Sequence, residues 1–177
     1  MQFTIVFVIG FVAVLIFAVY QAIGAHAQKL DQQARDSGSA IDTCLWDINF
    51  SIDKIVKIIE VAGKAINDEE ILKTVDIGLG MNASRQTLCY VMISKRLKAI
   101  TAFVDEDGDL KNNAEIEGLF KKIEGFKKEM LAYSLKYNKR AASLNSYIEK
   151  PFISFISERK RVSARNMFTM VREDGVN

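Results

Sequence analysis

Residues Ala114 to Glu149 read AEIEGLFKKIEGFKKEMLAYSLKYNKRAASLNSYIE. Within them Ile116, Leu119, Ile123, Phe126, Met130, Tyr133, Tyr137, Ala141, Leu144 and Ile148 step by three and four throughout. On a helix of 3.6 residues per turn that spacing lines one face, nearly a heptad seam, and so predicts a long amphipathic helix with a partner along its length. Lys150-Pro151 ends it, because Pro lacks the N–H and restricts the residue before it.

Working back from this helix, Asp105 to Asn113 is a polar turn around Gly108. Its acidic run invites a calcium reading. Counted from Asp105, however, Leu110 falls where an EF-hand needs Gly and Ile116 where it needs Glu, so a solvated turn is expected. Upstream, Asn67 or Asp68 suits the cap of a second helix, with Glu69 and Glu70 in its first turn, running to about Val104. Its later half is firm, with Cys89, Ile93, Leu97, Ile100 and Val104 on one face. Its middle carries Gly78 and Gly80, each costing about 1 kcal/mol in a helix. The first helix runs from about Lys29 to Lys64 on the stripe Leu45, Ile48, Ile52, Ile55, Val56 and Ile59, with a kink expected at Ser37-Gly38-Ser39. A short fourth helix is expected from about Phe152 to Val171. No stretch reads as a strand. The fold expected is all-α, a long-helix antiparallel up-and-down bundle of three to four helices.

Before Lys29 the chain holds no Asp, Glu, Lys or Arg, and Phe3 to Tyr20 reads FTIVFVIGFVAVLIFAVY. Such a run is long enough, as a helix, to cross a hydrocarbon core of roughly 30 Å, and Tyr20 sits where an interfacial aromatic would. Residues 1–28 therefore read as a transmembrane anchor, and 29–177 as the helical domain. Ala25-His26-Ala27 offers the alternative of a signal peptide cleaved after Ala27, but no Lys or Arg precedes the apolar run. A buried soluble helix would need cover on every face from a small domain. Lys29 and Arg35 follow the anchor, which favours an N-terminus outside and a cytoplasmic domain, with a periplasmic domain as the alternative.

The balance of 24 Lys+Arg against 22 Asp+Glu, net +2, argues against a nucleic-acid partner, which needs a clear basic excess. One Pro, 10 Gly and two Cys exclude collagen-like and disulfide-dense classes, and 49% hydrophobic residues exclude a charge-rich disordered chain. His26 is the sole His, so no His-based metal cluster is available. Cys44 and Cys89 lack C-x-x-C spacing; buried thiols are expected in a cytoplasmic domain and a bridge between the first two helices in an outward-facing one. Asn82-Ala83-Ser84 is a chance glycosylation sequon. Trp46, Tyr133, Tyr137 and Tyr147 read as core rather than as a ligand cage. No nucleophile–base pair or phosphate loop stands out, so no catalytic residue, metal or cofactor is expected.

The tail after the helix is basic. Lys150, Arg159, Lys160, Arg161, Arg165 and Arg172 face a single acid, Glu158, with Phe152, Ile153, Phe155, Ile156, Val162, Phe168, Met170 and Val171 as apolar partners. A basic amphipathic helix can lie on an anionic leaflet, so Lys150, Phe152, Phe155, Arg159, Lys160, Arg161 and Arg165 are candidate membrane contacts. A solvated face of a bundle helix is the alternative.

Several short motifs occur in order. Asp53 stands with Ile55, Ile58 and Ile59; Asp109-Leu110-Lys111 is followed by Asn113; and Tyr137-Asn138, Asn145 and Pro151 close the series. With the N-terminal anchor, this arrangement over about residues 1–170 resembles the LemA family. Ser51, Val56, Lys57, Leu144 and Lys150 depart from that family's pattern. The resemblance implies a membrane-anchored helical bundle with no established catalytic activity and links to membrane organisation. It implies a structural role for the motif residues. For Asn138 and Asn145, seven apart on one helix face, the expectation is a hydrogen-bonded cross-link to another helix, with exposure to water as the alternative. The function expected is a non-enzymatic scaffold at a membrane surface, with an unknown protein partner, anionic lipid contact and room for a homo-oligomer. The rival is a periplasmic or extracellular sensor module binding a small ligand between helices.

Overall fold

A computed structural model describes residues 2–170, with the side chains at 2, 3, 5 and 6 outside the description. The expected tail residues Val171 and Arg172 therefore lie beyond it. Among the described residues every regular element is a helix: α1 (Gln2–Val61), α2 (Glu69–Leu72), α3 (Ala83–Glu106), α4 (Gly108–Lys111), α5 (Ala114–Ile148) and α6 (Pro151–Arg159). Two compact units divide the chain: Met1–Ala34 with Lys139–Arg165, and Arg35–Asn138 with Asn166–Asn177.

α1 runs unbroken through Ser37-Gly38-Ser39, where the sequence suggests a kink. Ser39 Oγ donates back to the Arg35 carbonyl at 3.2 Å, which occupies the hydroxyl without opening the helix. Gly38 is instead a point of close approach. The Tyr137 ring lies 3.6 Å from where a Cβ would stand, and Gln86 Nε2 donates to the Gly38 carbonyl at 2.9 Å. α1 stops at a glycine in the left-handed region. Gly63 has φ +72°, its N–H bonds the Glu60 carbonyl and the Lys64 N–H bonds the Ile59 carbonyl, which satisfies the orphan acceptors of the last turn.

The expected stripe of α1 is buried at every position, from Leu45 to Ile59. Each fully buried Ile contributes about 1.5–3 kcal/mol relative to exposure. On α5 all ten seam residues are buried except Phe126 and Tyr133, which are half-buried. Trp46 departs from the core expectation: it is 51% exposed and stacks flat on Phe50 at 5.0 Å.

The second expected helix is divided. Asp68 caps α2 by accepting from the Glu70 N–H, but α2 is only four residues long, and 73–82 is not helical. Gly80 has φ +73°, in the left-handed region that a helix does not use. Asn82 then caps α3 through the Arg85 N–H, so the chance sequon is a helix start. This division changes the topology. Gln86 bonds Gly38 and Asp42, while Arg96, ten residues on, bonds Asn49 and Asp53. Both links advance in the same sense, so α1 and α3 run in one direction, not in the alternating order expected. The segment 62–82 carries the chain back before α3 begins.

The polar turn also contains helix. Asp107 caps α4 by accepting from the Asp109 and Leu110 N–H groups, and Asn113 caps α5 by accepting from Glu115 and Ile116. The expected fourth helix is much shorter than its apolar spacing suggests. Pro151 takes the first position of α6, where its missing N–H costs nothing, and the helix ends at Arg159. Residues 162–170 are non-helical.

Candidate functional site

In the unit formed by Met1–Ala34 and Lys139–Arg165, the apolar half of α1 is long and apolar enough to cross a membrane, and almost none of it is covered by protein. Beside its end, Ala27, Leu144, Ile148 and Val162 form a small core with Leu30 and Tyr147 packed against it. His26 meets the Tyr147 ring edge-on at 4.7 Å. Lys160, the C-cap of α6, donates to Gln21 Oε1 at 3.0 Å, and its ammonium lies 5.4 Å from the Tyr20 ring centre. Gly24 makes room for this side chain, since a Cβ there would stand 2.9 Å from Lys160 Cε.

Asn145 reads the backbone of the tail. Its Nδ2 donates to the Arg165 carbonyl and its Oδ1 accepts the Arg165 N–H, both at 2.9 Å. The Arg165 side chain turns inward, with Nε 2.6 Å from Asp31 Oδ1 and both groups largely buried. Arg165, one of the expected membrane contacts, is thus held in a largely buried ion pair. The others remain at the surface or near it. Phe152 is 86% and Phe155 55% exposed, Arg159 lies over the Phe155 ring at 4.6 Å, and Lys150 lies 5.9 Å from the Tyr147 ring centre.

The second unit repeats the clamp. Asn138 Nδ2 donates to the Phe168 carbonyl at 2.8 Å and Asn138 Oδ1 accepts the Phe168 N–H at 2.9 Å, while the Tyr137 hydroxyl donates to the Asn166 carbonyl at 2.9 Å. Phe168 is buried edge-on against Tyr90. Both Asn side chains therefore bind backbone of a non-helical segment, where the sequence suggests a neighbouring helix. The tail from Val162 is likewise a docked segment and not the continuous amphipathic helix expected: Val162 and Phe168 are core residues.

The remaining motif residues also have structural places. Asp53 Oδ1 pairs with Arg96 Nη1 at 2.7 Å; Arg96 Nε donates to the Ile71 carbonyl at 2.7 Å and Nη1 to Asn49 Oδ1 at 3.0 Å, which ties α1 and α2 to α3. Leu110 is buried, Lys111 pairs with Asp105 at 3.2 Å, and Asp109 is exposed, 3.8 Å from Lys64 Nζ. The closer Lys64–Asp107 contact holds the Asp107 carboxyl below its ordinary range and the Lys64 ammonium above its own.

Sequence reasoning missed Asp42 and Gln86, both buried. Asp42 Oδ2 accepts from the Gly80 and Met81 N–H groups at 2.8 and 3.2 Å, and Oδ1 accepts from Gln86 Nε2 at 2.7 Å. Burial pushes the Asp42 carboxyl up against those three lowering bonds. The one available signal was position: Gln86 and Arg96 interrupt an otherwise apolar face of α3. Cys44 and Cys89 are free and buried; burial, then Glu129 and Asp47, pushes the Cys44 thiol up to about 11, and burial raises Cys89 as well. No group of three or more His, Cys, Asp or Glu able to hold a metal occurs among the described residues. No family model, curated protein or solved structure matches the chain.

Proposed function

We propose that the chain is a single-pass membrane protein of LemA type, a non-enzymatic scaffold that holds a helical domain at a membrane surface. The observation that carries the reading is the apolar half of α1, almost none of which is covered by protein. A helix of that composition in water would leave Phe7, Phe11, Phe17 and their neighbours hydrated, whereas a bilayer supplies the missing apolar surroundings. The polar motif residues support a structural role: Asp53, Tyr137, Asn138 and Asn145 all spend their hydrogen bonds on holding helices and tail. The domain is read as a bundle with α5 antiparallel to α1, a reading supported by Gly38 lying against Tyr137 and Cys44 lying within the field of Glu129. Lys29 and Arg35 favour a cytoplasmic domain with the N-terminus outside. The exposed Trp46–Phe50 stack suits a protein partner.

Carbonate extraction of membranes tests the anchor. The full chain is expected to stay in the pellet, and a chain lacking residues 1–28 to leave it. Release of the full chain by carbonate would overturn the reading.

A further inference from the structure

In the unit formed by Met1–Ala34 and Lys139–Arg165, the large apolar side chains that stand exposed fall into two groups among the described residues: the anchor from Phe7 to Val19, and Phe152 with Phe155 on α6. Phe152, Phe155 and Arg159 follow at spacings of three and four, so they share the outer face of α6, while Ile156 and Ser157 are buried on its inner face. The position of this face along the anchor is fixed by Lys160, which holds the C-cap of α6 to Tyr20 and Gln21. Those two residues end the apolar run, where a bilayer meets water.

We propose that α6 is an interfacial foot, with Phe152 and Phe155 seated in the leaflet beside the anchor and Arg159 and Arg161 on the phosphates of anionic glycerophospholipids. The proposal rests on the anchor reading. Charge and depth agree: Lys150, Arg159, Lys160 and Arg161 stand against one acid, Glu158, over the length of the foot. Arg161 adds a second observation. It has φ +57°, the left-handed position that closes α6: the Arg161 N–H bonds the Glu158 carbonyl and the Val162 N–H bonds the Ser157 carbonyl. Glycine fits that position without strain, and at the matching position after α1 the chain has Gly63. At the foot it has an exposed cation instead. Local strain at a surface charge is the pattern of a residue kept for what it touches.

The test uses the full chain in vesicles of phosphatidylcholine and phosphatidylglycerol with brominated acyl chains, on a Trp46→Phe background with one new Trp per protein. Phe152→Trp is expected to emit to the blue and to be quenched by bromine. A quenched Phe17→Trp with an unquenched Phe152→Trp overturns the foot and leaves the anchor standing. A Phe17→Trp that escapes quenching overturns the anchor reading and the foot with it. Adding Arg159→Gln and Arg161→Gly to the Phe152→Trp protein is expected to reduce quenching several-fold in the anionic vesicles and to leave it nearly unchanged in phosphatidylcholine alone. Equal quenching with and without these changes in anionic vesicles overturns the headgroup contact. Arg161→Gly alone is expected to raise the thermal midpoint, which separates loss of lipid contact from loss of fold.

Discussion

Arg96 Nη1 lies 2.7 Å from Asp53 Oδ1, with the guanidinium 6% and the carboxylate 49% exposed. That asymmetry sets the cost of breaking the pair. Water still reaches Asp53, so the carboxylate loses little when its partner goes. Arg96 stays buried whatever happens to Asp53, held by the Ile71 carbonyl and Asn49. Asp53→Ala is therefore expected to destabilise the fold by about 1–3 kcal/mol, below the 3–5 kcal/mol typical of breaking a fully buried pair. Arg96→Met removes the buried charge but strands the Ile71 carbonyl it bonds, so it is expected to cost at least as much as Asp53→Ala does. Urea midpoints of the two variants decide it; an Asp53→Ala midpoint equal to wild type would show that Arg96 needs no counter-charge.

The two asparagine clamps give a second expectation. Each Asn satisfies one N–H and one carbonyl of a tail that has no helix or sheet of its own, at Arg165 and at Phe168. Alanine at either position strands those two groups. Leaving a buried polar group unpaired costs about 1–3 kcal/mol, and 1.4 kcal/mol is about tenfold in an equilibrium. Asn145→Ala and Asn138→Ala should each speed tryptic cleavage after Arg165 by about tenfold or more at a temperature where the helices remain folded. Asp is a poor replacement at both positions, because it accepts from the N–H but cannot donate to the carbonyl.

How far this arrangement was legible follows from where each signal resides. The faces of α1 and α5 are written in local spacing, so the stripes from Leu45 to Ile59 and from Ile116 to Ile148 could be read directly. Caps are also local, and Asp68 was readable for that reason. The direction of α3 was not, because it depends on Asp42 catching the backbone of Gly80 and Met81, 38 and 39 residues away. Two glycines marked a weak helix there; they could not say which way the chain turned. In the tail, Val162 and Phe168 have spacings that suit a helix face, yet they are buried as part of a non-helical segment held by Asn145 and Asn138. Periodicity shows that residues share a side only when the chain is already helical. The amides were legible as cross-links, and the partner was not, since backbone groups carry no sequence signature. Trp46 erred in the opposite way: an aromatic at helical spacing suggested core, but Phe50 lies one turn further along and the two stack with each other in the open.

Acid should loosen the end of the helical domain through Lys64 and Asp107. Asp107 in the folded chain ionises below its ordinary 3.8, held down by the Lys64 hydrogen bond and the Leu110 and Asp109 N–H groups. A carboxyl depressed by folding stabilises the fold above its unfolded pKa, and that contribution is lost as pH falls through its folded value. Lys64 is raised, so its share persists below the ordinary lysine range and disappears only in strong alkali. Asp42 works in the opposite sense: its folded pKa is raised, so its ionisation costs stability as pH climbs from 3.8 through the folded value. Asp107→Asn keeps the α4 cap, because an amide oxygen also accepts from the Asp109 and Leu110 N–H groups, but it loses the ion pair. The difference in thermal midpoint between wild type and Asp107→Asn is expected to be present at pH 7 and to shrink as pH falls below 3.8 through the folded value. A difference that persists unchanged into acid would assign the effect to the cap.

The buried thiols make the orientation measurable with a single added cysteine. With the Cys44 thiol pushed up to about 11, only about one molecule in a thousand carries the thiolate at pH 8, and burial shields both sulfurs further. Wild-type protein should therefore react with a maleimide only after denaturation. Glu106, at the end of α3, is exposed, and substituting it leaves the Asp107 cap and its Lys64 contact in place. Glu106→Cys is expected to label rapidly in lysed cells and to resist a membrane-impermeant maleimide on intact ones, as a cytoplasmic domain requires. Equal labelling before and after lysis would put the domain outside. In that case the anionic leaflet facing α6 would be the outer one, and the lipid dependence of the Phe152→Trp reporter would have to be measured against its composition.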